Sequence, residues 1–591
     1  MFMSLVSIAI VLGLAYLWST RGFFSSLIHM ACVVAAGAIA FGVWEPLSML
    51  ILTKAPSSGF LSFISDGAWG LGLALPFVIS LVILRVITDK LVKGNVAIDD
   101  TYNFIGAGLC GVVTGVITSG MFVLSTGFLR VPANFMGYQP VQMVNQGNLE
   151  IQQKLWLPVD RLTASFYNAL STRTLSTDTP LVKYYPDLAS AAGTQRMSEG
   201  NGNNKNVIKP DAFTIGTHFT VGKDKNLPAD QIFTDFLNPG VQDITLLDGS
   251  PIGPGAYIDG YLIKFNSGAK EKFGQIVFGK GQIRLVVQNA QGDRKTLFPI
   301  AVTSQAKSGD DRFGRFRFDG EFYVASVGGA SEAPMAFEFA VPAGYTPQSL
   351  YVRNLRIDVE GKEPDREFPD AAARDAAIQT GALLAGNRTE NLNLSHAQTV
   401  PVSGGRGPGV SLQTRLENRI VLQKGQTHSL EIDEHNFILN GEQAFAPNEF
   451  AARGLDRALR VDQFFVTPDT NIIQIKVTGD PAQVPTSYFS TSAAPDLRTD
   501  VPPMLIDTKG QSYEAIGFIY SDNNISKIRY TPGRPMRGLN EADSLVRSRD
   551  DQEMYLIFRP SVGVDIKYFA IGDVVLATFD PPLHVDPPRK R

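Results

Sequence analysis

SLVSIAIVLGLAYLWS, Ser4 to Ser19, carries no charge, and its reading decides the fold. A run this apolar at an amino terminus is either a cleaved secretory leader or a retained membrane helix. A leader wants a basic start and a small-x-small cleavage site, with no further spans behind it. Met1-Phe2-Met3 supplies no basic residue, and a second apolar run, Phe23 to Trp44, follows almost at once. The retained span is the better reading. Further along, the second run stops at Glu45-Pro46, a third begins near Gly67 and ends at Arg85 with a kink expected at Pro76, and a fourth runs from Phe104 to Phe128. Each approaches the ~20 residues that cross ~30 Å of hydrocarbon. Leu47 to Ile64 is apolar but broken by Lys54, Pro56 and Gly59, which predicts a re-entrant or interfacial segment, so the count is four spans.

Sidedness follows from the basic residues of the short loops, which favour the cytoplasm. Arg21 lies between spans one and two, and Arg85, Lys90 and Lys93 between three and four, whereas the other side holds Lys54 and Arg130. That bias puts the amino terminus and everything after Arg130 outside the cytoplasm. In the fourth span Gly106, Gly108, Gly111, Gly115 and Gly120 fall mostly along one side, and Gly111-Val-Val-Thr-Gly115 is a GxxxG. Glycine lets two helix backbones close until dispersion contacts replace the drive that lipid cannot supply. A helix–helix seam is expected, within the chain or between copies as a homo-oligomer. The plainer alternative is simple tolerance of glycine in membrane helices. Asp99 and Asp100 read as interfacial caps, and the lack of a mid-span acid counts against an ion-coupled transporter.

Four spans, Arg21-Gly22-Phe23-Phe24 leading into the second, and Asn103-Phe-Ile-Gly-Ala-Gly-Leu-Cys-Gly111-Val-Val-Thr-Gly115 in the fourth together resemble the colicin V production (CvpA) family over residues 1–130. Two positions depart from its pattern: family members often carry an acidic-basic pair where Asn103-Phe104 stand, and a basic residue where Thr114 stands. The resemblance implies a multi-pass bacterial inner-membrane protein tied to envelope integrity, secretion or toxin export. Some anchors of this type carry an extracytoplasmic serine protease.

Beyond Arg130 the patterning changes twice. Residues 141–200 read mostly helical, a collar on the outer membrane surface, and Gly200-Asn-Gly-Asn-Asn-Lys205 reads as a linker. From about Val207 apolar residues alternate, as in Tyr257 to Phe265, Gly281 to Val287 and Met335 to Val341, so strands are expected. An internal repeat emerges: Gly292 and Gly510 stand 218 residues apart, as do Pro342 and Pro560, while Leu350 and Ile566 stand 216 apart. Separated points at near-constant spacing point to a duplicated unit. The expected fold class is therefore a four-span α-helical membrane part with a mainly β extracytoplasmic region, a duplicated antiparallel β-sandwich, immunoglobulin-like in outline. Its divisions are a membrane domain (1–130), a helical collar and linker (131–206), a first sandwich (207–360), a linker (361–411) with a short helix in Asp370 to Leu384, a second sandwich (412–580) and a disordered tail (581–591).

Chemistry is sparsely signalled. A formal net charge of -4 offers nothing to draw nucleic acid. Cys32 and Cys110 both lie in apolar runs, so no disulfide or thiolate site can form in the β region. The six histidines show no metal spacing, Asp310-Asp311 reads as a solvated turn, and no phosphate loop occurs; neither metal nor cofactor is expected. A serine protease would need Ser403 of Ser403-Gly-Gly405, His218 and an aspartate to converge. Ser403 lacks the preceding Gly-Asp, so a non-enzymatic reading is preferred, with a membrane-anchored hydrolase as the alternative. The expected partners are membrane lipid and an envelope protein or cell-wall component bound through the β domains.

Overall fold

The computed structural model describes residues 1–588 apart from 57–60, 93, 95, 97–98, 175–178, 197–204, 224, 226, 234–242, 272, 306–312, 321, 326–328, 381, 384–391, 418–421, 424–428, 446–459, 490–497, 543–544 and 547–548. Lys93, Asp310-Asp311 and most of the 200–205 linker lie outside the described residues.

Among the described residues four helices are long and apolar enough to cross a membrane: α1 (Phe2–Ser19), α2 (Phe23–Lys54), α4 (Ala68–Leu91) and α5 (Asp100–Gly127), with a short α3 (Ser62–Asp66) between the middle two. The chain is a membrane protein. The helices run up and down, and hydrogen bonds between their ends fix which ends share a side. At one end Met3 N–H donates to the Met136 carbonyl at 2.9 Å and Arg130 pairs with Asp66 at 2.9 Å, while ten residues short of the end of α2 Trp44 Nε1 donates to the Trp69 carbonyl at the start of α4 at 2.9 Å. At the other, Phe23 N–H donates to Asn103 Oδ1 at 2.6 Å and Arg85 to Ser25 Oγ at 3.2 Å. Asp99 caps α5 by accepting from Thr101 N–H.

The second run does not stop at Glu45-Pro46. Pro46 lies inside α2, which continues to Lys54, so Leu47 to Lys54 is helix rather than a re-entrant segment. Proline forbids one backbone bond but is tolerated in membrane helices when neighbours hold the helix together. Here Ser48 and Leu52 are buried, and Gly72 of α4 leaves room for the Ser48 side chain.

The stretch expected to be mostly helical opens instead with a hairpin, Val141–Met143 against Leu149–Ile151, closed by Asn145-Gln-Gly147. Helices α6 (Val159–Thr172), α7 (Leu181–Tyr184) and α8 (Leu188–Gln195) follow. Rather than lying over the bundle as a collar, α6 runs alongside it: Tyr167 OH donates to the Val34 carbonyl at 3.2 Å, and Thr163 Oγ1 to the Val116 carbonyl at 3.2 Å. Gly37 and Gly120 leave the space that Tyr167 and Thr163 fill. Both glycines stand seven residues, about two turns, back from Trp44 and Gly127.

The rest is rich in β-sheet. The first unit contains β1 (Phe213–Val221), β2 (Tyr257–Asn266), β3 (Ile283–Asn289), β4 (Arg294–Leu297), β5 (Ala301–Gln305), β6 (Phe313–Arg317), β7 (Glu332–Val341), β8 (Tyr345–Val352) and β9 (Leu355–Asp358). The second contains β10 (Val410–Leu412), β11 (Ile473–Lys476), β12 (Pro503–Asp507), β13 (Ser512–Glu514), β14 (Gly517–Ser521), β15 (Ser526–Tyr530), β16 (Glu553–Phe558), β17 (Asp565–Ile571) and β18 (Val574–His584). In the first unit these strands lie in the orders β1-β2-β7-β5-β6 and β9-β8-β3-β4; in the second, β10-β11-β16-β14-β15 and β18-β17-β12-β13. In each unit the two sheets contribute to one core: Ile263, Phe265, Phe337 and Phe339 share a cluster with Leu285, Val287 and Leu350, and Ile475, Leu556 and Phe518 share one with Leu505 and Phe569.

The expected linker 361–411 belongs to the units on either side of it. Arg366–Phe368 pairs with β1, and Gln398–Pro401 with β18. The helix Ala371–Gln379 sends Arg374 to Glu338 of β7 at 3.2 Å, where Arg315 also pairs at 2.7 Å. Burial pushes the Glu338 carboxyl up, but the two guanidiniums outweigh it and hold it below its ordinary value. The tail differs too, because β18 runs through Pro581 to His584 and both Leu583 and Val585 are buried. Prolines are permitted there because Pro581 and Pro582 fall in the break of register between Thr578 and Leu583 in the pairing with β17.

Candidate functional site

The helix-packing glycines divide by partner. A Cβ on Gly111 would stand 2.7 Å from Ala15 Cα, and one on Gly115 2.7 Å from Val11 Cα, so both press α5 against α1. The seam is thus closed within the chain. Gly106 faces the Phe23 ring instead, and a Cβ on Gly108 would meet only Ser19 at an ordinary 3.9 Å. In Arg21-Gly22-Phe23-Phe24, Arg21 and Gly22 belong to the turn between α1 and α2, where Gly22 has φ 85°, and Phe23 and Phe24 begin α2. Phe23 thereby touches α5 twice, through its ring on Gly106 and its N–H on Asn103. The departing residue Asn103 acts here as the acceptor at the start of α2, while Thr114 is buried.

Where the helices meet the first unit, Glu45 accepts from Tyr185 OH at 2.9 Å and from Arg356 of β9 at 2.9 Å. Tyr351 OH of β8 donates to the Tyr184 carbonyl at 2.6 Å, and Arg284 of β3 to the Ala191 carbonyl of α8 at 3.0 Å. The two units are joined by main chain as well as side chain. Ser331 N–H donates to the Ser512 carbonyl at 2.7 Å, and Arg559 to the Phe273 carbonyl at 2.7 Å.

Between these contacts lies a cleft of about 1240 Å³. Its floor is Leu52 of α2, Ser65 and Asp66 of α3, and Arg130. One wall comes from the first unit, including Lys209, Asp211, Lys270 and Ser331, and the other from the second, including Glu431, Glu514, Arg534 and Arg537. Lys270 is buried, and its Nζ donates to the Ala330 carbonyl at 2.5 Å. Burial pushes that ammonium down to about 8, and pushes Lys280, deeper in the first unit, down to about 7.

The residues weighed for proteolysis do not converge. His218 lies on β1, 3.1 Å from Asp259 and stacked on Tyr261. Ser403 lies beside the second unit in a tight turn, its N–H on the Arg406 carbonyl at 2.9 Å. The cleft drew contributions from α3, the first unit and the second unit, segments too far apart in sequence to signal one another. No protein-family model, no curated protein and no solved structure matches the chain.

Proposed function

We propose that this chain is a multi-pass protein of a bacterial inner membrane that holds two immunoglobulin-like β-sandwiches, the second a repeat of the first, outside the cytoplasm. In this reading the sandwiches are binding modules for an envelope protein or the cell wall, serving envelope maintenance, secretion or colicin V production-like export, and the chain is not an enzyme. The observation that carries it is the joining of the helices to the β units. Every helix presents one end to the side the units occupy, while Arg21, Arg85 and Lys90 gather at the other end, as the positive-inside bias requires. The Glu45, Tyr185 and Arg284 contacts then hold the units as a rigid platform.

Strand order supports the repeat, since the nine strands named in each unit lie in the same order in both sheets, although the second unit's larger sheet also carries Phe437–Phe445 beside β15. So does local chemistry. Asn289 Oδ1 accepts from the N–H groups of Gln291 and Asp293, and Asp507 Oδ1 accepts from those of Lys509 and Gln511, each donor 218 residues after its counterpart. Sheet edges of such units accept extended partner segments readily. The test is in-cell crosslinking at exposed Ala290 and Val546, followed by purification of the full chain from its native membrane. Recovery of one envelope protein or of peptidoglycan fragments at either position is expected. Adducts confined to cytoplasmic proteins would refute the reading.

A further inference from the structure

The cleft can be assigned a ligand class from its position and lining. The Arg130–Asp66 floor lies at the unit-facing end of the apolar helices, just after α5 and just before α4. Short α3 is two-faced. Ser65 and Asp66 line the cleft, while Leu61 and Phe63 beside them are 48% and 56% exposed. A ligand bound here can therefore keep an apolar part in the bilayer and a polar part in the cleft.

The polar part is constrained by charge. Arg130, Lys205, Lys209, Lys270, Arg534 and Arg537 are matched by six carboxylates among the lining residues. A multiply charged anion would meet as many acids as bases, whereas a zwitterion finds partners for both its poles. Ser331, 2% exposed, lines the cleft, and its hydroxyl has no hydrogen-bond partner among the described residues. Leaving such a group unpaired costs free energy that a ligand acceptor would recover.

We propose that this cleft binds the headgroup of a zwitterionic phospholipid, a phosphate joined to a primary ammonium. The phosphate meets Lys209 and Arg537 at the rim and Ser331 inside, the ammonium meets the carboxylates, and the acyl chains lie along Leu61 and Phe63. The assignment rests on the four helices crossing a bilayer, which carbonate extraction tests separately, and not on any partner of the β units.

Native mass spectrometry tests it on the full chain in mild detergent, offered equal amounts of phosphatidylethanolamine, phosphatidylglycerol and phosphatidylcholine with matched acyl chains. Selective retention of phosphatidylethanolamine is expected. Lys209→Glu with Arg537→Glu is expected to lower that retention about tenfold through lost charge-assisted hydrogen bonds, and Arg498→Glu, outside the cleft, to leave it unchanged. If the reversed pair melts earlier than the parent, Lys209→Gln with Arg537→Gln replaces it under the same reading. Phosphatidylglycerol retained equally well, or phosphatidylethanolamine retained undiminished by the charge variants, would overturn the proposal. Displacement by an equal concentration of soluble phosphoethanolamine would overturn the lipid source.

Discussion

At Gly115 only a hydrogen fits, because the backbone of α1 occupies the place a side chain would take. Gly115→Ala should therefore force α1 and α5 apart, lowering stability by about 1–3 kcal/mol as overpacking does. Gly108→Ala, with open space at its Cβ, should leave the thermal midpoint in detergent within a degree or so of the parent. Equal losses at both positions would refute the assignment of the seam. The glycines were legible in the sequence because their spacing is a packing signal in itself. Their partner was not, since GxxxG says nothing about which helix approaches. Buried lysines were less visible still, as nothing local distinguishes Lys270 or Lys280 from a surface lysine. Their consequence is a pH dependence with a definite sign. Both have folded pKa values below the ordinary lysine range, so above about pH 7 the unfolded chain binds more protons and stability rises with pH. Thermal midpoints should climb from pH 7 to 9, and Lys280→Met should flatten the climb; a fall over that range would contradict these pKa directions.

Helix α2 shows how far apolar patterning reaches at the scale of an element. Existence and type of the spans follow from composition, whereas the end of α2 does not. Pro46 and Glu45 look like a stop in isolation, but Glu45 has Arg356 and Tyr185 as partners more than a hundred residues away. Residues 141–157 are ambiguous for a related reason: apolar positions recurring unevenly fit helix and short hairpin alike, and the packing against the bundle end decides. The Glu45–Arg356 pair couples α2 to the first unit. A double-mutant cycle of Glu45→Gln and Arg356→Gln should return a coupling of about 0.5–3 kcal/mol, read from denaturant unfolding of the first unit. A coupling near zero would mean that the helices and the unit are merely adjacent. Helix α6 belongs to the same scale. Gly37→Leu should displace Tyr167 and expose α6 to protease, while leaving the α1–α5 seam intact.

Across the whole molecule, the 218-residue spacing read in the sequence links Gly292 and Gly510, each of which occupies a positive-φ turn between paired strands. The third anchor was less accurate: Ile566 pairs with Asp507, whereas Leu350 pairs with Leu285, so the two residues do not hold equivalent places in their strands. Variable loop lengths between β7 and β8 and between β16 and β17 account for that slip. The cleft lay beyond sequence reading altogether, because its walls are assembled by the docking of the two units on the bundle.

Membrane sidedness is what the account depends on most, and impermeant maleimide labelling of intact cells measures it directly. Cys32 and Cys110 are first replaced by alanine, then Ala290→Cys reports on the first unit and Gly94→Cys on the loop between α4 and α5. Labelling of the first in intact cells, and of the second only after permeabilisation, is expected. The reverse pattern would place the β units in the cytoplasm, and labelling of both in intact cells would mean that the helices do not separate them.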